Sequence, residues 1–147
     1  YDCWIYKYGE NTTYFKLGMD TISHDALDNI WLELINISDL LEIINKGKLI
    51  KKYIDIDNAE YLNNYGYESE IEGYKCYVVN RKTNSWIFGE KYNEYPLVVV
   101  WAYNGKKYSY SLYSSDKNVD CSKIAEKYGG GGHKGAAGFS CDKLIVK

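Results

Sequence analysis

Several features that mark large classes of protein are missing from this sequence. It contains no run of about 18 apolar residues and no signal-peptide core, so nothing in it predicts a membrane span or secretion. Its four cysteines include no C-x-x-C pair, the spacing that zinc motifs favour. Its net charge of −2 provides no overall field that would attract nucleic acid. We therefore expect a cytoplasmic protein with reduced thiols and no membrane partner, in which any nucleotide binding is local.

The parts of a catalytic centre are also missing. The chain has no Gly-Lys-Thr of a phosphate-binding loop, no acidic cluster for metal ions and no Cys/His pair at a motif spacing. We therefore predict no catalytic residue, no metal ligand and no cofactor in this chain. Its 147 residues suffice for one domain with a hydrophobic core. Because it starts at Tyr1 rather than Met, we interpret it as a piece of a longer protein.

Glycine is concentrated in one short stretch. Residues 129–139, GGGGHKGAAGF, contain six of the thirteen glycines and one of the two histidines. Four consecutive glycines add no side-chain packing and lose much backbone entropy when they become ordered. A folded domain keeps such a run where its backbone must approach something closely, and bare N–H groups suit an anion or a nucleotide.

The residues around this stretch fit phosphate or nucleotide binding. The ring of His133 can donate to a phosphate oxygen, the small residues after it let a ligand approach the backbone, and nearby serines offer hydroxyls. A flexible surface loop with a chance histidine is the alternative. The candidate substrate-binding residues are Gly130, Gly131, Gly132, His133, Ala136, Ala137, Gly138, Ser111, Tyr113 and Ser114.

The hydrophobic periodicity predicts an α/β fold. Apolar residues recur at helical spacing over 23–36 and from Ser38 to about residue 65, and alternating glutamates over 68–72 then form a solvated edge. Gly129 is expected to end the last helix in the left-handed conformation. A crossover and an Asn104-Gly105 hairpin turn predict parallel and antiparallel pairs. We expect a mixed β-sheet packed with helices and preceded by a helical linker segment. The predicted strands are 74–80, 97–103, 106–112 and 136–141, and the predicted short helices are 85–92 and 121–128.

The glycine stretch also resembles a known motif. Residues 129–139 match GGGGHxxAAGF, the hallmark of the C-terminal DHH-associated domain of DHH-family phosphoesterases, at every fixed position. The segment 110–128 resembles that domain's strand, small polar turn and helix, and 73–80 resembles its first strand. Residues 1–4, YDCW, resemble the Y-D-x-W segment that closes the catalytic domain in the oligoribonuclease (nanoRNase) and cyclic-nucleotide phosphodiesterase branch.

The resemblance implies that catalysis and substrate binding belong to different domains. It implies that 1–22 is the tail of a missing N-terminal catalytic domain, 23–70 a helical linker region and 71–147 the substrate-binding domain. The missing DHH domain would be the partner that holds two manganese ions, and this chain alone would be inactive. His133 and the backbone of 130–132 would hold the phosphate or terminal nucleotide of a short oligonucleotide or cyclic (di)nucleotide. The aromatic residues of 1–15 would either form a homodimer contact or face the missing domain.

Two other functions and one departure from the family pattern stay open. The domain could be a nucleic-acid-binding module without hydrolysis, as in alanyl-tRNA synthetases, or the substrate domain of an exopolyphosphatase or pyrophosphatase. Tyr113 stands where many relatives resembling this chain have Arg. A tyrosine can stack on a base, but it cannot form the planar fork with which a guanidinium grips phosphate.

Overall fold

The computed structural model describes residues 9–22, 25, 27–33 and 37–146. The chain divides into two compact units, Tyr1–Asp57 and Asn58–Lys147. The helices are α1 (Glu10–Met19), α2 (Ile30–Glu33), α3 (Ile37–Tyr65), α4 (Lys91–Glu94) and α5 (Cys121–Glu126), with a 3₁₀ turn at Ser85–Phe88. The strands are β1 (Gly66–Ile71), β2 (Tyr74–Asn80), β3 (Leu97–Tyr103), β4 (Tyr108–Tyr113), β5 (Gly131–His133) and β6 (Ala136–Cys141). None of the helices in the described residues is long and apolar enough to cross a membrane.

In the first unit, two glycines let α1 and α3 approach closely. A Cβ atom on Gly18 would lie 2.1 Å from the carbonyl oxygen of Ile43, and one on Gly47 would lie 1.7 Å from that of Tyr14. Any larger residue at either position would push the helices apart. The prediction that helical periodicity starts near Ser38 and continues to about residue 65 is confirmed by the single helix α3.

The predicted helix over 23–36 is wrong for the part that the structure describes. Only α2, four residues long, is helical there, while Ser23, His24, Ala26 and 34–36 lie outside the described residues. The carboxylate of Asp25 accepts a hydrogen bond from the backbone N–H of Leu27 (2.9 Å), a local bond that competes with helix formation. Leu27 is 91% exposed, so the apolar stripe that favoured the helix is not buried.

The second unit contains one mixed six-stranded sheet, in the order β1-β2-β3-β4-β6-β5. β2 and β3 are parallel and the other neighbours are antiparallel, which confirms the predicted α/β fold with a mixed sheet and a preceding helical segment. The predicted strands over 74–80, 97–103 and 136–141 are confirmed. β4 begins two residues later than predicted, because the side chain of Asn104 accepts from the N–H groups of Lys106 and Lys107.

Two elements differ from the sequence-based assignment. The glutamate-rich segment after α3 is a strand, β1, whose residues Glu68 and Glu70 are exposed as expected for a solvated edge. Its turn to β2 is tight, with Glu72 at φ 51° and Gly73 at φ 82°. The predicted helix over 85–92 is a 3₁₀ turn followed by α4, because Gly89 between them has φ 51° and interrupts helical geometry.

The two faces of the sheet have separate cores. We call the face that carries Val79, Val98 and Val100 the front face, and these residues pack with Leu62, Ile87 and Phe88. The back face carries Val78, Val99 and Leu112, which pack with Ile124 and Ala125 of α5. The front-face core covers β2 and β3, and no residue beyond β4 belongs to it among those the structure describes.

Candidate functional site

The glycine stretch forms an edge strand and a tight turn, where the sequence alone predicted a loop. Gly131, Gly132 and His133 make up β5 and pair with Gly138, Ala137 and Ala136 of β6. Lys134 and Gly135 form the two-residue turn between the strands. The hairpin is crowded at Gly132, since a Cβ atom there would lie 2.5 Å from the Cα atom of Ala137.

The hairpin starts where α5 ends. Gly129 has φ 75°, which confirms the predicted left-handed end of the helix. Its N–H donates to the carbonyl of Glu126 (3.0 Å), and the N–H of Gly130 donates to that of Ala125 (2.9 Å). The N–H of Gly130 is therefore engaged at the helix end.

Two backbone hydrogen bonds hold the turn of the hairpin in place. The carbonyl of Lys134 accepts from the N–H of Cys121, the first residue of α5 (2.9 Å), and that of Gly135 accepts from Ser114 (3.1 Å). Asp120 caps the same helix end, because its carboxylate accepts from the backbone N–H groups of Ser122 (3.1 Å) and Lys123 (3.3 Å), and it also accepts from the Ser122 hydroxyl (2.6 Å). That bond is the main cause that lowers the pKa of the Asp120 carboxyl. The turn is thus fixed between α5 and the end of β4.

The sheet register brings six of the ten predicted residues to the front face. Ser111 pairs with Val100 and Tyr113 with Val98, both of which are front-face residues. Paired residues in neighbouring strands point to the same face. The residues of β6 that pair with Ser111 and Tyr113, and the residues of β5 that pair with those, therefore also lie on the front face. The six front-face residues are Ser111, Tyr113, Gly131, His133, Ala136 and Gly138.

These six residues form a shallow surface that solvent can reach. His133 and Gly131 are exposed, and the other four are half-buried. Small side chains form its floor, while the His133 and Tyr113 positions lie about 10 Å apart, two strand spacings across the sheet. No hydrogen bond or ion pair engages the His133 ring within the described part of the chain. An exposed ring beside a small-residue floor can donate to a ligand that lies on the sheet.

The remaining predicted residues lie elsewhere. Gly132 and Ala137 pair with each other and follow Leu112 to the back face, where Ala137 is 9% exposed. Ser114 is buried, and its hydroxyl donates to the carbonyl of Pro96 (2.6 Å) and accepts from the N–H of Asp116 (3.0 Å). The side chains of Ala137 and Ser114 therefore support the fold around the surface.

Residues of α4 border the same surface, which the sequence did not predict. The hydroxyl of Ser115 donates to the side-chain oxygen of Asn93 (3.1 Å). Burial raises the pKa of Tyr92, and the nearby Cys121 and Tyr113 raise it further. The sequence of α4 carries no motif for such a role, because only the parallel crossover from β2 to β3 brings it beside the end of β4.

Two of the cysteine thiols, those of Cys76 and Cys121, are buried in the core. Cys76, Cys121 and Cys141 are free, and burial raises the pKa of the first two thiols to about 12 and about 11. Such thiols stay protonated and unreactive at neutral pH. Cys3 lies outside the described residues. Among the residues described, no group of three His, Cys, Asp or Glu side chains could hold a metal ion.

Comparison with known proteins gives a family and a fold. The family model described as the DHHA1 domain matches residues 73–145. A pGpG-specific phosphodiesterase, PggH, from Vibrio cholerae is similar in structure with a TM-score of 0.58 and 15% identity, over 88% of this chain and 50% of that one. A solved DHH domain, described as coming from a member of a family of ribosomal proteins, has a TM-score of 0.52 and 16% identity, over 84% and 35%. No curated protein matches the chain by sequence.

The identities and coverages of these matches determine what they show. At 15% and 16% identity the two structures show a shared fold. The chain spans about half the length of the Vibrio phosphodiesterase, 50% of that protein. The family match covers strands β2 to β6 and helix α5, and it includes the glycine hairpin on which the sequence resemblance rested. Residues 73–145 of this chain are therefore a DHHA1 domain, the C-terminal DHH-associated domain.

Proposed function

We propose that this DHHA1 domain binds the substrate of a manganese-dependent phosphodiesterase that hydrolyses short oligonucleotides or cyclic (di)nucleotides. The observation that carries the proposal is the exposed ring of His133 beside the small-residue front-face surface. A phosphate oxygen would accept a hydrogen bond from His133, and the sugar would lie over Ser111 and Gly138, where no long side chain stands in the way.

The hydrolytic centre would lie in another domain. A DHHA1 domain normally accompanies an N-terminal DHH domain. The described residues of this chain offer no group of ligands that fits manganese ions, so the metal site would belong to the DHH domain. There the metal would activate water against the phosphodiester, while the residues of this chain bind and orient the substrate.

The substrate class and compartment are proposals of the same kind. The structurally similar Vibrio phosphodiesterase is described as specific for pGpG, a dinucleotide. A dinucleotide suits the roughly 10 Å between the His133 and Tyr113 positions, two strand spacings apart. The free thiols of Cys76, Cys121 and Cys141 fit a reducing cytoplasm. The predicted homodimer stays a prediction.

Binding to the 147-residue chain tests the proposal directly. The dinucleotide pApA is titrated into the ¹⁵N-labelled chain, and we expect amide shifts to change at Gly131 and Gly138. Because charge-assisted hydrogen bonds stabilise by about 1.5–3 kcal/mol and this ring is exposed, His133→Ala should weaken binding by about tenfold. The matched control is Lys134→Ala, which removes the neighbouring exposed side chain from the turn.

The probes also separate ligand classes. Unphosphorylated adenosine should bind far more weakly than pApA, and inorganic polyphosphate should compete poorly, because a base or sugar is needed to fill the floor. If pApA shifts no amide of the hairpin, or if His133→Ala binds it as the wild type does, the front-face surface is not the substrate site.

A further inference from the structure

A second surface of the domain combines aromatic rings with lysines, at the tip of the β3–β4 hairpin. Trp101 and Tyr103 lie two residues apart on β3, so both point to the back face. Tyr108 of β4 pairs with Tyr103 and lies between the two rings. Its ring centroid is 5.8 Å from that of Trp101 and 4.7 Å from that of Tyr103. The three rings therefore form one continuous aromatic surface.

This hairpin-tip surface, which consists of Trp101, Tyr103 and Tyr108, is separate from the front-face surface. It lies on the opposite face of the sheet, with the buried Tyr110 and Leu112 continuing the back face beyond it. Tyr108 and Tyr113 are at opposite ends of β4, about 17 Å apart at ~3.4 Å per residue. A ligand held at His133 does not occupy the hairpin tip.

The rings are held in place yet remain accessible. Tyr103 is 53% exposed, and Trp101 and Tyr108 are half-buried against the back-face core. The indole N–H of Trp101 donates to the hydroxyl of Tyr67 (3.1 Å), so its polar edge is already bonded within the fold. The part of these side chains that a ligand can reach is therefore the aromatic ring surface.

Three lysines lie in the segments next to the rings, two in the turn between β3 and β4 and one two residues after Cys141, the β6 partner of Tyr108. Lys106 and Lys107 lie in the hairpin turn, whose shape is fixed because both N–H groups donate to the Asn104 side chain (3.0 and 2.9 Å). Lys143 follows β6, where its carbonyl accepts from the buried hydroxyl of Tyr110 (3.3 Å). All three lysines are exposed, and none forms an ion pair with any residue in the part of the chain described. The positive charge is local, since the chain carries −2 overall.

We propose that the hairpin-tip surface binds single-stranded nucleic acid. Bases stack on Tyr103 and the neighbouring rings, and the phosphates between them lie near Lys106 and Lys107. Aromatic side chains are enriched in protein interfaces too, but lysine is depleted there, whereas rings beside lysines are the usual arrangement for single strands. The proposal rests on these contacts and does not depend on the proposed function of the front face.

The test uses a fluorescein-labelled octanucleotide, oligo(U), and fluorescence anisotropy with the 147-residue chain at 50 and 200 mM salt. Loss of one stacked base predicts that Tyr103→Ala weakens binding by about 5- to 160-fold. The double variant Lys106→Glu/Lys107→Glu should bind more weakly, and its salt slope should fall by about 1.4, since each single-strand phosphate contact contributes about 0.7. Tyr53→Ala, at another exposed tyrosine, and Lys117→Glu are the matched controls, and circular dichroism confirms that each variant folds.

The outcomes separate this proposal from the proposed function. Weakened octamer binding in both hairpin-tip variants supports it, and wild-type affinity in either variant overturns it. Failure of the octamer to bind the wild-type chain also overturns the proposal. If, in that case, the wild-type chain self-associates and Tyr103→Ala abolishes the self-association, the surface is a protein interface. The pApA titration with His133→Ala reports on the front face alone, so either site can fail while the other stands.

Discussion

The hydroxyl of Tyr128 donates a hydrogen bond to the carboxylate of Glu72, across 2.6 Å and 56 residues of sequence. Lys127 binds the other oxygen of the same carboxylate at 2.5 Å. These two contacts fasten the residues just after α5 to the tight turn between β1 and β2. Because α5 also anchors the hairpin that carries His133, the Glu72 contacts link one edge of the sheet to the candidate site at the other.

The first prediction concerns the pH dependence of that link. The bond with Lys127, followed by that with Tyr128, lowers the pKa of Glu72 below 4.5. A lowered pKa in the folded state stabilises the protein above the unfolded pKa, and this stabilisation is lost as the pH falls through the folded pKa. Glu72→Gln should therefore be less stable than the wild type at pH 7, and the difference should shrink below about pH 4.5.

Urea unfolding from pH 7 to pH 3 measures this difference. Glu70→Gln, in the exposed edge strand β1, is the control and should differ little from the wild type throughout. A stability gap between Glu72→Gln and the wild type that stays constant over this range would contradict the role of the ionised carboxylate.

The second prediction compares two adjacent glycines. A Cβ atom on Gly130 would lie 2.2 Å from the carbonyl oxygen of Gly138 and 2.4 Å from the Cβ atom of Phe139, whereas one on Gly131 would meet nothing within 4 Å. Overpacking against fixed backbone typically destabilises by about 1–3 kcal/mol. Gly130→Ala should lower the free energy of unfolding by about that much, and Gly131→Ala should leave it within about 0.5 kcal/mol.

The same pair separates folding from binding. The new methyl group of Gly131→Ala would stand on the front-face surface beside the ligand, so this variant should fold normally and bind pApA more weakly. Chemical denaturation and pApA titration of the two variants check this. Equal stability of the two alanine variants would show that the hairpin relaxes around Gly130, and unchanged binding by Gly131→Ala would place the ligand elsewhere.

Sequence patterns predict those elements whose structure is determined by neighbouring residues in the chain. The unbroken apolar run of β3 predicts a strand buried on both faces, and Gly129 after α5 predicts a left-handed helix end. The motif likewise singles out His133 and its small neighbours. Periodicity fails where a local contact competes, as at Asp25, whose carboxylate accepts a hydrogen bond from the N–H of Leu27 two residues on.

The arrangement of the site is less predictable because it depends on pairing between distant strands. Gly132 and Ala137 lie on the back face with Leu112, their partner across the sheet. Gly131 and Gly138 lie on the front face with Ser111. No local sequence pattern predicts this assignment. A shift of one residue in the β4–β6 register would exchange the two sets. Asn93 and Tyr92 are missed for the same reason, since they reach the site only through the β2–β3 crossover.

The last prediction concerns Tyr113, the position at which the sequence resemblance leads us to expect Arg. Tyr113 pairs with Ala136, which pairs with His133, so all three lie in one row across the front face. A guanidinium at Tyr113 would add a positive charge with a planar fork that grips phosphate oxygens. Tyr113→Arg should therefore bind pApA about 5–10 times more tightly at 50 mM salt, a gain of about 1–1.4 kcal/mol, which is within the range of one hydrogen bond at a solvent-accessible surface.

Calorimetric titration at 50 and 200 mM salt tests the charge itself. One extra phosphate contact should steepen the salt dependence by about 0.7 in slope, while Tyr113→Phe, the matched aromatic control, should keep the wild-type slope. The reverse result is equally informative: if Tyr113→Arg loses affinity and Tyr113→Phe retains it, the tyrosine ring stacks on a base. In that case Tyr113 recognises a base rather than a phosphate, and the preferred ligand of the domain should depend on the identity of the base.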